Sequence, residues 1–443
     1  MSGRLIVFDD ARAAQWMPFA DTRPVGDLLF GAYTLASRAE IVLGLACAGF
    51  LSERLHGFDE PGTRPVLDRA PADPAIGTLY LSSRAVPDWT AAFEPLKEPA
   101  LIRVGGESVG WWAPAGASPP PDAFFAQPAD ASPGAAREFD LPGRVLSHVW
   151  QLITRNAEQI LRDWVGSAKR NQHARTAERV RTGPRVEVSD APLGPVMTGG
   201  PVHMIGPADV PCEIIGGDPN LVRVDPRNVA IEPFVLLDVS AGPIWLEQGV
   251  TIRSFTRLAG PAWIGRSTTL LGGSISASSI GPHCKIRGEV EATVVNGFTN
   301  KAHDGFLGHA YVGRWVNLGA LTTNSDLKNN YGTVRIWTPD GETDTGEKKI
   351  GCLLGDHVKT AIGTMFNTGT VVGAGANIFG AGMPPKRVSP FAWGDTGATW
   401  DIDRFLETAE TAMGRRNVAL TPGLRAVLRR AWQTACKHAG SPA

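Results

Sequence analysis

From about residue 201 onward, one phrase recurs six times in this 443-residue chain: an aliphatic residue, then a second one six positions later. It is read in "LEQGVTI" (246–252), "IGRSTTL" (264–270), "IGPHCKI" (280–286), "VGRWVNL" (312–318), "LGDHVKT" (354–360) and "VGAGANI" (372–378). Glycine follows the first aliphatic residue in five of the six, and Thr360 replaces the second in one. A six-residue stride of inward-pointing aliphatics fits a parallel β-helix, in which short strands form the faces of a triangular prism. The glycines belong at corners, where positive φ or close backbone approach is required. A single coil cannot cover its own apolar face, so the coils must stack. Six in-phase instances weigh against the other reading, a twisted antiparallel β domain with accidental spacing.

Upstream the texture differs. "RLIVFDD", "GTLYLSSRAV" and "ALIRVGGESVGWW" read as strands, and "GDLLFGAYTLASRAEIVLGLA" has helical or mixed periodicity, so residues 1–145 predict an α/β domain. Within them, 113–136 is rich in Pro, Ala and Ser and predicts an irregular connector. Val149, Leu152, Ile153, Ile160, Leu161 and Trp164 recur at helical spacing, which makes 146–200 a helical linker. The prism then occupies 201–390, and two amphipathic stretches within 391–443 predict a helical cap over its open end or over a neighbouring subunit.

With 43 Lys+Arg against 44 Asp+Glu, the net charge of -1 argues against nucleic acid as a partner. No apolar run approaches the roughly 20 residues needed to cross a bilayer, so no membrane partner is expected either. Cys47, Cys212, Cys284, Cys352 and Cys436 show no CxxC spacing and read as a reduced intracellular set. The apolar run near the N-terminus is too short for a signal peptide. A cytoplasmic protein is expected.

The most polar part of the repeat region is "NGFTNKAHDGFLGHAYVGRWVNLGA" (296–320), followed by "LTTNSDLKNNYG" and "EKKIGCLLGDH". These segments resemble the acetyltransferase active-site region of the bifunctional N-acetylglucosamine-1-phosphate uridylyltransferase / glucosamine-1-phosphate N-acetyltransferase family. They are closer still to its shorter sugar-nucleotidyltransferase-like relatives, and the resemblance covers roughly 200–390. It implies a left-handed prism, a homotrimer with sites between neighbouring prisms, and His303 as the catalytic base. Asn317, Asn330, Tyr331 and Lys349 fall on substrate-binding positions, and the resemblance extends that role to Lys301 and Asp304. Thr364, Gly380, Lys386 and Arg387 fall where coenzyme A would bind. Two departures stand out: Phe306 replaces a tyrosine, and "GEVEAT" lacks a lysine that the family carries.

The chemistry calls for these residue types. An amine attacks a thioester only in its neutral form, and a histidine can take its proton near neutral pH, a contribution of about 10²–10⁴ in rate. Sugar phosphate and coenzyme A are both anionic, which asks for cations such as Lys301, Lys328, Lys349, Lys386 and Arg387. His309 reads as structural or secondary, and the spacing of His303, Asp304 and His309 matches no standard metal site. In the N-terminal half, "FADTRPVGDLLFGAYTL" resembles the opening of a sugar nucleotidyltransferase domain, with Arg23 at a substrate-binding position. The glycine-rich phosphate loop of such domains is missing; "FDDARAAQW" stands there, whose Asp9 and Asp10 are a weak Mg²⁺ pair.

The expected protein is an acetyl-CoA-dependent acyltransferase acting on an amino-sugar phosphate, whose N-terminal domain either retains nucleotidyl transfer to a sugar-1-phosphate or is a degenerate binding or structural domain. Two rivals remain: a nucleotidyltransferase whose prism only oligomerises it, and a non-catalytic scaffold that binds a sugar nucleotide.

Overall fold

The computed structural model describes residues 3–71, 75–130, 137–177, 203–204, 212–225, 227–394 and 397–439. The later part of the expected linker, including 178–200, lies outside them.

The first strand, β1 (Gly3–Phe8), is apolar on both faces and sits inside a six-stranded sheet. It runs parallel to β2 (Ala46–Leu51) and to β3 (Gly77–Ser82). The sheet continues through β4 (Ala100–Val104), β5 (Glu107–Ala113) and β6 (Arg137–Leu141) in the order β2-β1-β3-β5-β4-β6. Leu5 and Val7 enter one apolar cluster while Ile6 and Phe8 enter another, so both faces of β1 are covered. Helix α1 (Leu35–Leu43) starts where the Thr34 side chain accepts a hydrogen bond from the Ser37 amide, and it stops at left-handed Gly44. Because β2 and β3 flank β1 on opposite sides, the carboxyl ends of these strands form a crevice of the kind that receives ligands in open sheets. Asp9 and Asp10 follow the end of β1 directly, and Ser82 ends β3 with Ser83 just beyond it.

The second half forms stacked coils of parallel strands, the arrangement of a parallel β-helix. Face A runs through Val222–Val224, Ile244–Leu246, Ala262–Ile264, Ser279–Ile280, Val294–Gly297, Tyr311–Arg314, Cys352–Leu354, Thr370–Val372 and Arg387–Val388, all paired in parallel. Inward residues Ile264, Ile280, Val295 and Val312 stand 16, 15 and 17 positions apart, one coil each. Each six-residue phrase runs from face A to face B, and both of its ends point into the prism. Leu246, Ile252, Ile264, Leu270, Ile280 and Ile286 are all fully buried there. At about 1.5–3 kcal/mol for each aliphatic side chain buried, this column dominates the stability of the coils.

The glycine after the first aliphatic residue serves close approach and not positive φ. A Cβ on Gly265 would lie 2.8 Å from the Gly281 carbonyl carbon, and one on Gly281 would lie 2.6 Å from the Val295 oxygen. The left-handed residue stands two positions later, and most often it is not glycine: Ser267, His283, Phe298, Trp315, His357 and Phe391 all take φ between 54° and 63°. Four of these rings stack coil upon coil, with centroids 4.8 Å apart for His283–Phe298, 4.2 Å for Phe298–Trp315 and 6.3 Å for Trp315–His357. The gain from stacking and burial offsets the cost of the left-handed backbone.

Face A is apolar on its outside as well. Trp263, Val294, Tyr311, Leu353 and Val371 point outward and pack against Trp16, Phe19, Leu29, Phe30 and Leu152 of the N-terminal half. Tyr311 donates its hydroxyl to the Leu29 carbonyl at 3.0 Å, and the Asn296 side chain accepts from the Leu29 amide at 2.8 Å. The expected linker helix is broken at Arg155 into Gln151–Thr154 and α2 (Asn156–Ala177). It serves as a layer between the two halves: Asn156 donates to Ser279, and the Arg223 guanidinium lies 4.2 Å from the Trp164 ring centroid and 4.5 Å from that of Trp245.

The C-terminal helices α3 (Ile402–Gly414) and α4 (Pro422–Ala439) share one core with the N-terminal sheet. Phe405, Leu406, Met413, Leu424 and Leu428 cluster with Leu5, Leu43, Phe58 and Trp112. Asp59 accepts from the Leu424 amide at 2.8 Å. The cap therefore reaches beyond the prism to the other half of the same chain.

Candidate functional site

Face B carries an outward column in register: Thr251, Thr269, Lys285, Asn300, Asn317, Lys359 and Asn377. Asn300 donates to the Asn317 side chain at 2.9 Å, so exposed Asn317 belongs to a ladder of amides. Lys301 pairs with the inward residue Ile286 and is therefore aimed into the coil. Only 2% exposed, its ammonium donates to the carbonyls of Arg287 at 2.8 Å and His303 at 2.9 Å. Burial pushes that amine down to about 8. The expectation that Lys301 binds substrate is thus corrected: its register turns it inward, where it ties the Arg287 carbonyl of the preceding coil to that of His303.

That tie supports the corner between face B and face C, the third side of the prism, which carries Leu236–Asp238, Thr256–Ala259 and Phe306–Gly308; His303 and Asp304 are exposed at this corner. The Asp304 carboxylate is engaged by Arg287 at 3.0 Å. Among the described residues nothing hydrogen-bonds the His303 ring. At the other edge of face C, His309 Nδ1 lies 2.8 Å from Asp326 Oδ2, with both side chains mostly enclosed. Lys349 Nζ stands 3.7 Å from Glu291 and 3.9 Å from Asp326. Lys349 thus joins the His309 cluster, at the opposite end of the Phe306–Gly308 strand from His303, and not His303 itself. Asn330 and Tyr331 are exposed on the insertion that leaves the prism here, and the Asn330 side chain accepts from the Gly332 amide at 3.1 Å. The pairing of His309 with Asp326 was missed in the sequence, although 17 positions is one coil length.

Further along the axis, the last coils enclose a cavity of about 310 Å³ lined by Thr364, Met365, Phe379, Gly380, Met383 and Arg387, among others. It brings together three of the four residues expected at coenzyme A. Lys386 adjoins Arg387 in sequence, and its carbonyl accepts from Val371 at 2.7 Å. The cavity begins at the same B–C corner as His303 but two coils on, a separation of about 10 Å from strand spacing alone. The Arg387 guanidinium lies 4.0 Å from the centroid of the Trp337 ring, a cation–π contact.

The N-terminal candidates have a different fate. Arg23 is 1% exposed and bridges Asp27, Glu60 and Asp356, the last from the β-helix. Arg314 joins Glu60 at 3.4 Å, and Trp315 donates its indole N–H to Glu60 at 2.6 Å. Burial pushes the Glu60 carboxyl up, yet Arg23 and Arg314 override it and hold it down to about 2. Enclosed on all sides, Arg23 presents no donor to a substrate in the crevice, which corrects its expected role. Asp10 accepts from Arg84 at 2.8–3.0 Å, from Ser82 at 2.7 Å and from the Ala13 amide at 2.9 Å. Asp9 accepts from the Val25 amide at 3.2 Å, and burial pushes its carboxyl up to about 6. Both Asp10 oxygens are thus engaged within the protein, which leaves this carboxylate no open position toward the crevice.

Residues 5–171 match the model of a family described as sugar nucleotidyl transferase. The chain is also similar to a bifunctional sugar-1-phosphate nucleotidylyltransferase/acetyltransferase of Sulfurisphaera tokodaii, 28% identical over 91 residues. That match covers 20% of this chain and 23% of the relative, so the two share less than a quarter of either length. No described helix is long and apolar enough to cross a membrane.

Proposed function

We propose that this protein is a transferase of sugar-nucleotide metabolism, whose β-helix moves an acyl group from a coenzyme A thioester to an amino-sugar phosphate. The observation that carries the reading is the exposed His303 imidazole, which stands on the same corner as the cavity lined by Thr364, Gly380 and Arg387. A pantetheine arm leaving that cavity along the corner would bring its thioester toward His303. The acceptor amine would meet the imidazole there, lose its proton and attack the carbonyl. Arg387, with Lys386 next to it, would meet the coenzyme's phosphates, and Lys349, Asn317, Asn330 and Tyr331 would contact the sugar phosphate.

The prism is taken as left-handed and the assembly as a cytoplasmic trimer on the strength of the sequence resemblance. Since face A is covered by the N-terminal half, threefold contacts would have to use faces B and C. This geometry suits a site completed by a neighbour.

Release of coenzyme A from acetyl-CoA, with glucosamine-1-phosphate and a panel of amino sugars, tests the reading. His303→Ala should lower kcat by about 10²–10⁴ with an unchanged melting temperature. Absence of turnover with every acceptor would leave the scaffold reading in its place.

The family match over residues 5–171 supports a second activity, nucleotidyl transfer from UTP or dTTP to a sugar-1-phosphate. It would use the crevice beyond β1 and β3. Pyrophosphate release measures it directly.

A further inference from the structure

The His309–Asp326 pair differs in kind from His303. Its imidazole is anchored: Nδ1 faces a carboxylate oxygen at 2.8 Å, which sets the tautomer with the proton on Nδ1 and leaves the Nε2 lone pair as a base. It is also sheltered, the His309 side chain being 16% exposed and that of Asp326 12%. Beside it the Phe306 ring packs directly onto Gly308, where a Cβ would lie 2.2 Å from the ring and 3.1 Å from Asp326 Oδ2. Ring, carboxylate and imidazole therefore converge on one spot of face C. Closing the root of the insertion does not require this pair. Backbone bonds already do that, from Ile350 to the Asp326 carbonyl at 3.0 Å and from Gly351 to the His309 carbonyl at 2.8 Å.

A carboxylate-held imidazole matters most for an acceptor that is hard to deprotonate. An amine is partly neutral near pH 8 and needs only a proton acceptor nearby, whereas a hydroxyl must lose its proton during attack. That demands a base of fixed tautomer and orientation, the logic of the Ser-His-Asp arrangement. We infer that His309, positioned by Asp326, is a proton-transfer residue for acyl transfer to a hydroxyl group of a sugar, so that this face of the β-helix makes an ester. The inference rests on the acyl-transfer reading above. In the step, the hydroxyl proton passes to His309 Nε2 as the oxygen–carbon bond forms on the thioester carbonyl. The carbon–sulfur bond then breaks, and the imidazolium returns its proton to the departing thiolate, giving ester and free coenzyme A.

The test uses the full-length protein with acetyl-CoA and two acceptors: glucosamine-1-phosphate, and N-acetylglucosamine-1-phosphate, whose amine is blocked. Oxygen esters are cleaved by alkaline hydroxylamine and amides are not, so the product class is read directly once unreacted acetyl-CoA has been removed. Wild type should yield a hydroxylamine-labile product from the blocked acceptor. His309→Gln should lower kcat for that product by about 10²–10⁴. Asp326→Asn, which keeps the side-chain volume, should lower kcat while leaving KM within twofold, a split that a purely structural role would not produce. Melting curves for both variants separate loss of chemistry from loss of fold. Turnover confined to the free amine, or full ester formation by His309→Gln, overturns this inference and leaves the acyl-transfer reading standing. No turnover with either acceptor removes both.

Discussion

Faces A and B of the β-helix are built from the same coils and the same stride, yet one is sealed and the other open. On face A the outward positions are Trp263, Val294, Tyr311, Leu353 and Val371, and a whole domain lies against them. On face B the outward positions are Thr251, Thr269, Lys285, Asn300, Asn317, Lys359 and Asn377, which form a polar column. Apart from Lys301 and Thr360 on face B, the inward residues are alike on both. The difference shows that the repeat specifies a scaffold, while the alternate positions decide which side becomes an interior and which stays available for chemistry. It also explains why the charged residues of the sealed side form a closed cluster, whereas His303, Asp304 and Lys349 remain exposed.

The largest stability effect should come from the sealed side. Asp356→Ala removes the β-helix partner of Arg23 and the acceptor of the Arg314 amide, leaving buried guanidinium charge under-compensated. A loss of about 3–5 kcal/mol is expected, read as a lowered denaturant midpoint. A smaller effect follows from acid. Burial pushes the His357 imidazole down to about 3, so the unfolded chain takes up this proton near pH 6.5 while the folded protein does not. From this residue alone stability should fall as the pH drops below 6.5, by about 3 kcal/mol at pH 4, while Asp9, with its carboxyl raised to about 6, shifts stability the other way. His357→Phe keeps a ring in the stack and should remove the His357 contribution, read as a difference from wild type that shrinks or reverses between pH 6.5 and 4. Glu60, held at about 2, would still weaken the protein in the same direction once the pH passes below 4.5. The smallest effect belongs to the open side: Asn300→Ala breaks one exposed amide contact, and its cost should stay below about 1 kcal/mol. If Asn300→Ala destabilised as much as Asp356→Ala, the distinction between the two faces would be lost.

How much of this was legible in the sequence depends on how local the signal is. The stride was legible because both ends of each phrase lie within six residues. One coil escaped it: "VNGFTNK" (295–301) has the same length, but Lys301 stands where the other coils place an aliphatic residue or threonine. Reading Lys301 as a ligand to substrate followed from treating an inward slot as an outward one. The apolar doublets "WI", "VV", "YV", "LL" and "VV" on face A each supply one residue inward and one outward. A strand apolar on both sides needs two covers, and that signal was available though unread. Arg23 failed for the opposite reason. Glu60 and Asp356 stand 37 and 333 positions away, so a cation that reads as a substrate contact in isolation turns out to be enclosed by distant carboxylates. The exposure of His303 agrees with its expected place on the outer wall, while Asp326 beside His309 became visible only once the coils were in register.

The shared core of the N-terminal sheet and the C-terminal helices bears on how the molecule is made. Leu5, Leu43 and Phe58 emerge from the ribosome early, but Phe405, Leu406 and Leu424, which cover them, follow more than 300 residues later. At a synthesis rate of about 5–20 residues per second, that apolar surface waits tens of seconds for its lid. During that interval the nascent chain carries a sticky, half-finished domain, so chaperone capture should concentrate there. Shortening the chain from its carboxyl end should harm the first domain to be translated.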